Sequence, residues 1–271
     1  VSDRRVKVDE SKKKEMYTSY LVRRDRATSF DTILDTYGVR EGLSKEYIGV
    51  KYPTIGKQTS DNIKFIADDF STIEKTIYSE EPAVFSTYDR YIDVNTFVDY
   101  FLINEFTSNY DAGSKSTYMY KGIDGKLHMC VWDFNNAFDN YQENETSYRV
   151  FYLQDGLWYD MLFKDEEFVE KVISRYYELE KQYLNEEYIN SYIDSVIEYL
   201  GPAIDRNFEK WGHTFLSVWD RLFDFHRNLH SYDEAVSQLK GYIKNRCEWM
   251  NENIDSLRQY SAESKVKNYN Y

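Results

Sequence analysis

Two aspartates, Asp111 and Asp133, stand on either side of a segment whose residues alternate as a β-hairpin does. Asp111 lies in Ser108-Asn109-Tyr110-Asp111-Ala112-Gly113, and Asp133 in Val131-Trp132-Asp133-Phe134-Asn135-Asn136. A hairpin returns the residue after its second strand to the neighbourhood of the residue before its first, so the two carboxylates are expected close together. Such a pair suits phosphoryl transfer, with one acid at an incoming hydroxyl and the other on a divalent metal. Asn135, Asn136 and Asp139 could add oxygen ligands. Taken singly, each acid has a simpler reading: Asp111 as an Asx turn or cap, Asp133 as a salt-bridge partner or cap. Lys51 sits in a strand candidate, where it could reach nucleotide phosphates and pair with Glu74 on the next helix, or point into water. A glycine-rich phosphate cradle is absent from the sequence, as is any local Ser/His/Asp or Cys/His signature.

The elements that must position these groups are readable from periodicity. Tyr17 to Val22 and Tyr47 to Tyr52 read as strands, the second stopped by Pro53. Thr59 or Ser60 caps a helix from Asp61, with Ile63, Ile66, Phe70, Ile73 and Ile77 on one face. Residues 79–86, containing Pro82, read as a linker, and a strongly apolar helix runs from Asp93 to about Ser108. Residues 116–121 and 126–132 form the two hairpin strands around a Gly122-Ile123-Asp124-Gly125 turn. Residues 1–15 read as a charged arm and 139–150 as a polar loop. The rest reads as helices near 165–184, 187–199, 203–210 and 232–257.

Composition bounds the answer. With 271 residues, 42% hydrophobic and 18% aromatic, the chain is globular and long enough for a substantial core. Its 27 tyrosines suit helices with broad, half-buried faces. A net charge of −13 argues against nucleic acid or an anionic membrane as a general partner. Cys130 and Cys247 make no disulfide framework, and a single bridge between them stays open. No apolar run is long enough to span a bilayer. The start at Val1, with neither Met nor a signal-like segment, is expected of a processed or truncated piece.

These motifs resemble the CotH kinase family, the spore-coat protein H group of atypical protein kinases. The resemblance rests on Tyr-Phe-Leu-Ile-Asn-Glu at 100–105, Asn109-Tyr110-Asp111, Ser-Thr-Tyr-Met-Tyr-Lys at 116–121, Gly-Lys-Leu at 125–127 and Val-Trp-Asp-Phe at 131–134. Weaker matches lie at 20–25 and 50–53, so it covers roughly residues 17 to 140. It implies an α+β, atypical protein-kinase-like fold, with a small mixed α/β lobe, a central β-hairpin and a larger, mainly helical lobe. The lobes would divide as 1–88, a partial nucleotide lobe, and 89–271. The implied activity is Mg²⁺-dependent transfer of the ATP γ-phosphate to Ser or Thr of a protein. Asp111 then takes the catalytic-loop role, Asp133 and Asn135 the metal, and Lys51, Glu74 and Ser116 the nucleotide. Three positions depart from the family pattern: Ser116 replaces a common Asn, Asn135 a second Asp, and Asp139 a Gly. They open the alternative of a catalytically silent, protein-binding or coat-scaffold relative. Metal-dependent hydrolysis ranks third, since no hydrolase motif supports it. The family also implies a bacterial, extracellular or spore-coat setting, with protein substrates or coat and surface proteins as partners.

Overall fold

The computed structural model describes residues 17–42, 47–140, 145–216 and 228–262. The charged arm expected at 1–15 lies outside these residues. The chain is α+β, as its sequence implies, with one five-stranded antiparallel sheet and ten α-helices among the described residues. The strands are β1 (Tyr20–Asp25), β2 (Thr32–Ile33), β3 (Tyr47–Tyr52), β4 (Thr117–Lys121) and β5 (Leu127–Cys130). Their spatial order is β2-β3-β1-β4-β5. β1 therefore pairs with β3 on one side and β4 on the other, and the sheet draws strands from both sides of residue 88.

The helices are α1 (Tyr37–Arg40), α2 (Ser60–Ile77), α3 (Pro82–Phe85), α4 (Val94–Phe106), α5 (Tyr159–Leu162), α6 (Glu166–Glu180), α7 (Glu186–Leu200), α8 (Pro202–Trp211), α9 (His213–Leu216) and α10 (Tyr232–Asn253). The expected linker at 79–86 contains α3, because Pro82 at its first turn gives up an N–H that has no intrahelical partner there. Thr59 caps α2 in a reciprocal box with Asn62, and Asp93 caps α4 through the Thr96 N–H.

Strand alternation divides the sheet into two faces. Tyr20, Val22, Ile48, Val50, Met119, Leu127 and Met129 face the main core, where Ile66, Phe70, Ile73 and Ile77 of α2 and Phe97 and Phe101 of α4 are also buried. Trp158, Tyr159, Phe163 and Phe168 extend this core into the helical part, with Phe101 and Phe163 edge to face at 4.8 Å. Lys121 donates to both oxygens of Asp69 at 2.7 Å, and the Tyr20 hydroxyl donates to the same carboxylate at 2.8 Å. That shared acid fastens α2 to β1 and β4. Leu21, Tyr52, Tyr118 and Tyr120 form a smaller apolar cluster on the other face.

A buried ion pair joins α4 to α10. Arg246 and Glu105 both have side chains of 0% exposure, with Nη2 3.3 Å from Oε2. The guanidinium also donates to the Glu105 carbonyl (3.0 Å from Nε) and to the Tyr148 and Val150 carbonyls (2.6 and 2.8 Å). Glu105 accepts the Tyr152 N–H at 2.9 Å and the Leu153 N–H. Burial pushes the Glu105 carboxyl up to about 7, against the pull of Arg246 and the two backbone donors. Segment 148–153 is thus laced to the C-terminal end of α4, immediately before the loop that carries Asp111.

Candidate functional site

Asp111 sits on the loop between α4 and β4, and that loop is anchored at nearly every residue. The Asn109 N–H donates to the Asn104 carbonyl (2.9 Å), and its amide nitrogen to the Asn104 side-chain oxygen (2.9 Å). The Ala112 N–H returns to the Asn109 carbonyl, and the Ser114 and Lys115 N–H groups to that of Asp111. Gly113 donates to Thr117 Oγ1 at 2.9 Å and accepts from Arg24 Nη1 at 2.6 Å. A side chain at Gly113 would be strained twice over. Its φ is +77°, and a Cβ there would lie 2.3 Å from Leu153 Cδ1. The loop therefore inherits its position from β1, through Arg24, and from segment 148–153, through Leu153.

The structure joins several of the expected residues in pairs. Asn136 donates to Asp111 Oδ2 at 2.6 Å, and Lys115 Nζ is 3.7 Å from Asp111 Oδ1. Ser116 donates to Asp133 Oδ2 at 3.1 Å. Asn135 donates to Asn136 Oδ1 at 3.2 Å. Neighbouring residues Lys115 and Ser116 thus touch one aspartate each, and Asn135 joins the set through Asn136. Asp139 instead accepts the Thr146 N–H at 2.6 Å and is buried, away from the contacts of Asp111 and Asp133.

Backbone strain concentrates on the same ground. Of six non-glycine residues with positive φ among the described residues, five (Ser108, Ser116, Asp133, Phe138 and Asp139) lie in the segments flanking the hairpin. Each left-handed residue costs roughly 1 kcal/mol, and such outliers gather at functional sites. At Ser116 (+49°) and Asp133 (+59°) the strained pair is also the hydrogen-bonded pair.

Lys51 and Glu74 are placed differently from the expected pair. Lys51 Nζ bonds Asp31 Oδ1 at 2.7 Å, and Arg23 Nη2 meets Asp31 Oδ2 at 3.2 Å. Asp31 has a side chain only 2% exposed and lies over Gly49 of β3, on the face away from α2. Burial would raise its pKa, but the bonds from Lys51 and Thr28 outweigh this and bring it to about 2. Glu74 points to the core side and accepts the Gly38 N–H at 2.7 Å. Burial raises its pKa, opposed by Gly38, Thr36, Trp158 and the nearby charge of Arg24. Alternation explains the separation: the lysine occupies the far face of β3 while the helix packs on the near one.

Arg23 and Arg24 close the circle. Arg24 pairs in register with Thr117 and reaches the Asp111 loop, while Arg23 pairs with Tyr118, whose ring lies 5.3 Å from Trp132. β3 is two strand spacings from β4, about 10 Å. Arg23 pairs with Gly49 on one side and Tyr118 on the other, so the Lys51–Asp31–Arg23 cluster and the Tyr118–Trp132 pair lie on neighbouring strands of one face. Asp31, Arg24 and Lys115 were not among the residues singled out by sequence.

Hard oxygen donors make up the site: the two carboxylates, the Ser116 hydroxyl and the Asn135 amide oxygen. That set fits Mg²⁺, which takes one or two protein carboxylates and completes its shell with phosphate and water. Among the described residues no group of three or more His, Cys, Asp or Glu side chains could hold a metal by itself.

A family model described as CotH kinase protein matches residues 6–250 of the 271. No curated protein matches the chain in a sequence comparison.

Proposed function

The chain belongs to the CotH kinase protein family, and from that premise we propose that it transfers the γ-phosphate of ATP to Ser or Thr of a protein. The observation that carries this reading is that adjacent residues Lys115 and Ser116, on a loop anchored from both sides, contact Asp111 and Asp133 respectively. Asp111 accepts the acceptor hydroxyl's proton and aims its oxygen at phosphorus, while Asn136 fixes the carboxylate's rotamer. Asp133, with Asn135 and Ser116, would hold Mg²⁺, whose charge offsets that of the phosphate oxygens. Lys51, Arg23 and Arg24 supply cations around the nucleotide, with Asp31 bonded to the first two. Glu74 acts at one remove, through the Gly38 backbone and the charge of Arg24. In this reading residues 1–88 belong to a nucleotide lobe and 89–271 to a catalytic and helical lobe. The acceptors are coat or surface proteins of a bacterial cell or spore. No helix among the described residues is long and apolar enough to cross a membrane.

Calorimetric titration with Mg·ATP, followed by a transfer assay, tests the proposal. Asp133→Ala is expected to remove Mg²⁺-dependent nucleotide binding. Asp111→Asn should keep binding but lower transfer about 10²–10⁴-fold, the usual range for a general base. Failure of the intact chain to bind Mg·ATP would overturn the reading. A second reading, a silent binding relative, is favoured by one observation: Ser116 and Asn135 bring no charge to the metal position. It predicts nucleotide binding without transfer.

A further inference from the structure

β5 is an edge strand, and only its first half is covered. Leu127 donates to the Tyr91 carbonyl and accepts from Asp93, both at 2.8 Å, and the Met129 N–H is met by Thr96 Oγ1 at 3.3 Å. Odd-numbered residues of β5 therefore turn their backbone away from β4. Beyond Met129 the covering chain departs into α4. Among the described residues nothing bonds the Met129 carbonyl or the N–H and C=O of Val131. Val131 and Trp132 are exposed, at 57% and 45%. Beside this open edge lies a groove of about 740 Å³ lined by Ile103 of α4, Leu179 of α6 and Leu184, and by the Asp99–Arg175 ion pair.

We propose that the open edge from Met129 to Trp132 docks an extended segment of the acceptor protein as an added strand. An unpaired strand edge beside an apolar groove calls for a strand with apolar side chains at alternate positions. Main-chain bonds would go to Met129 and Val131, and every second side chain into the groove. Continuity selects the acceptor over any other polypeptide. Asp133 follows Val131 by two residues, about 7 Å of chain, so a strand laid along the edge past β5 ends beside the acidic site. Sequence-independent backbone pairing would fix the approach, and the groove would select where along the chain the hydroxyl falls. This inference rests on the phosphotransfer reading, but its physical content is binding.

The test uses a labelled, acetylated nine-residue peptide of alternating Val and Thr with one central Ser and two Lys at each end, followed by fluorescence anisotropy. Two further peptides carry N-methyl groups on alternate residues, one in each register. Saturable binding is expected, lost in the register whose N–H groups face β5 and kept in the other. Val131→Pro, which removes an outward N–H and no native ladder bond, should weaken binding about tenfold, the worth of one backbone hydrogen bond. Val131→Ala, which keeps that N–H, should stay within about threefold of the parent. Absence of saturable binding, or equal binding of both N-methylated peptides, would overturn the docking edge. The peptide comparison stands even if Val131→Pro fails to fold. Edge-dependent binding with no phosphate on the central Ser would overturn the transfer reading alone. Phosphate on that Ser with KM indifferent to both methylation registers would overturn the docking edge alone.

Discussion

Replacing Arg246 by Met removes the centre of the link between α10, segment 148–153 and the end of α4. The guanidinium is wholly buried and bonds three carbonyls as well as the Glu105 carboxylate. Methionine fills much of the volume but leaves the buried Glu105 charge with only the Tyr152 and Leu153 N–H donors. Breaking one side of a buried ion pair costs about 3–5 kcal/mol: the carboxyl, already raised to about 7, must take up a proton or stay charged without its partner, and three carbonyls lose their donor. Taking about 4 kcal/mol, and 2–4 °C per kcal/mol for a chain of this size, the melting temperature should fall by about 10 °C. Arg246→Lys should recover little, since one ammonium cannot reach carbonyls at Glu105, Tyr148 and Val150 together. The assay is thermal and urea denaturation followed by circular dichroism, with hydrogen exchange over 109–116 as a local probe. Because Leu153 packs on Gly113, exchange in that loop should accelerate more than the loss of global stability accounts for. A melting temperature within about 2 °C of the parent would refute the assigned worth of the pair.

Gly113→Ala is expected to cost about 2 kcal/mol, from its left-handed backbone and the clash with Leu153, read as a lower urea midpoint. Asp31 gives a pH signature: its folded pKa is depressed to about 2, so its contribution is present above the unfolded value of 3.8 and lost as pH falls toward 2. Lys51 is a third exposed, so screening limits that contribution to about 1 kcal/mol, and acid denaturation of Asp31→Asn should lack it. Asp69→Asn should destabilise by about 2 kcal/mol in urea, since Lys121 and Tyr20 both lose a charged acceptor.

How far the fold could be read from sequence follows the range of the forces involved. β3 with its stop at Pro53, α2 with its Thr59 cap and α4 with Asp93 are local matters of alternation, capping and periodicity, and each is found where the sequence puts it. β2 is two residues long and exists only by pairing with β3, and α1 is four residues held by Glu74; neither has a local signal to read. The place of β1 between β3 and β4 is equally non-local. In the site, the hairpin pattern puts Asp111 and Asp133 on the segments that flank β4 and β5, where adjacent Lys115 and Ser116 contact one each. The bonds that join their surroundings depend on left-handed backbone at Ser116 and Asp133, which those residue types do not announce. Lys51 was misassigned a partner because Asp31, its actual one, is delivered by a strand too short to recognise.

The position of β1 has a consequence during synthesis. Tyr20 waits for Lys121 before its second neighbour exists. At roughly 5–20 residues per second, about a hundred intervening residues take on the order of 5–20 seconds. For that interval the nascent chain carries a strand apolar on one side with an edge that any other strand can claim. Ribosome-bound chains halted before residue 117 should therefore be the form most prone to mispair with one another, and those halted well past residue 130 should be protected from it.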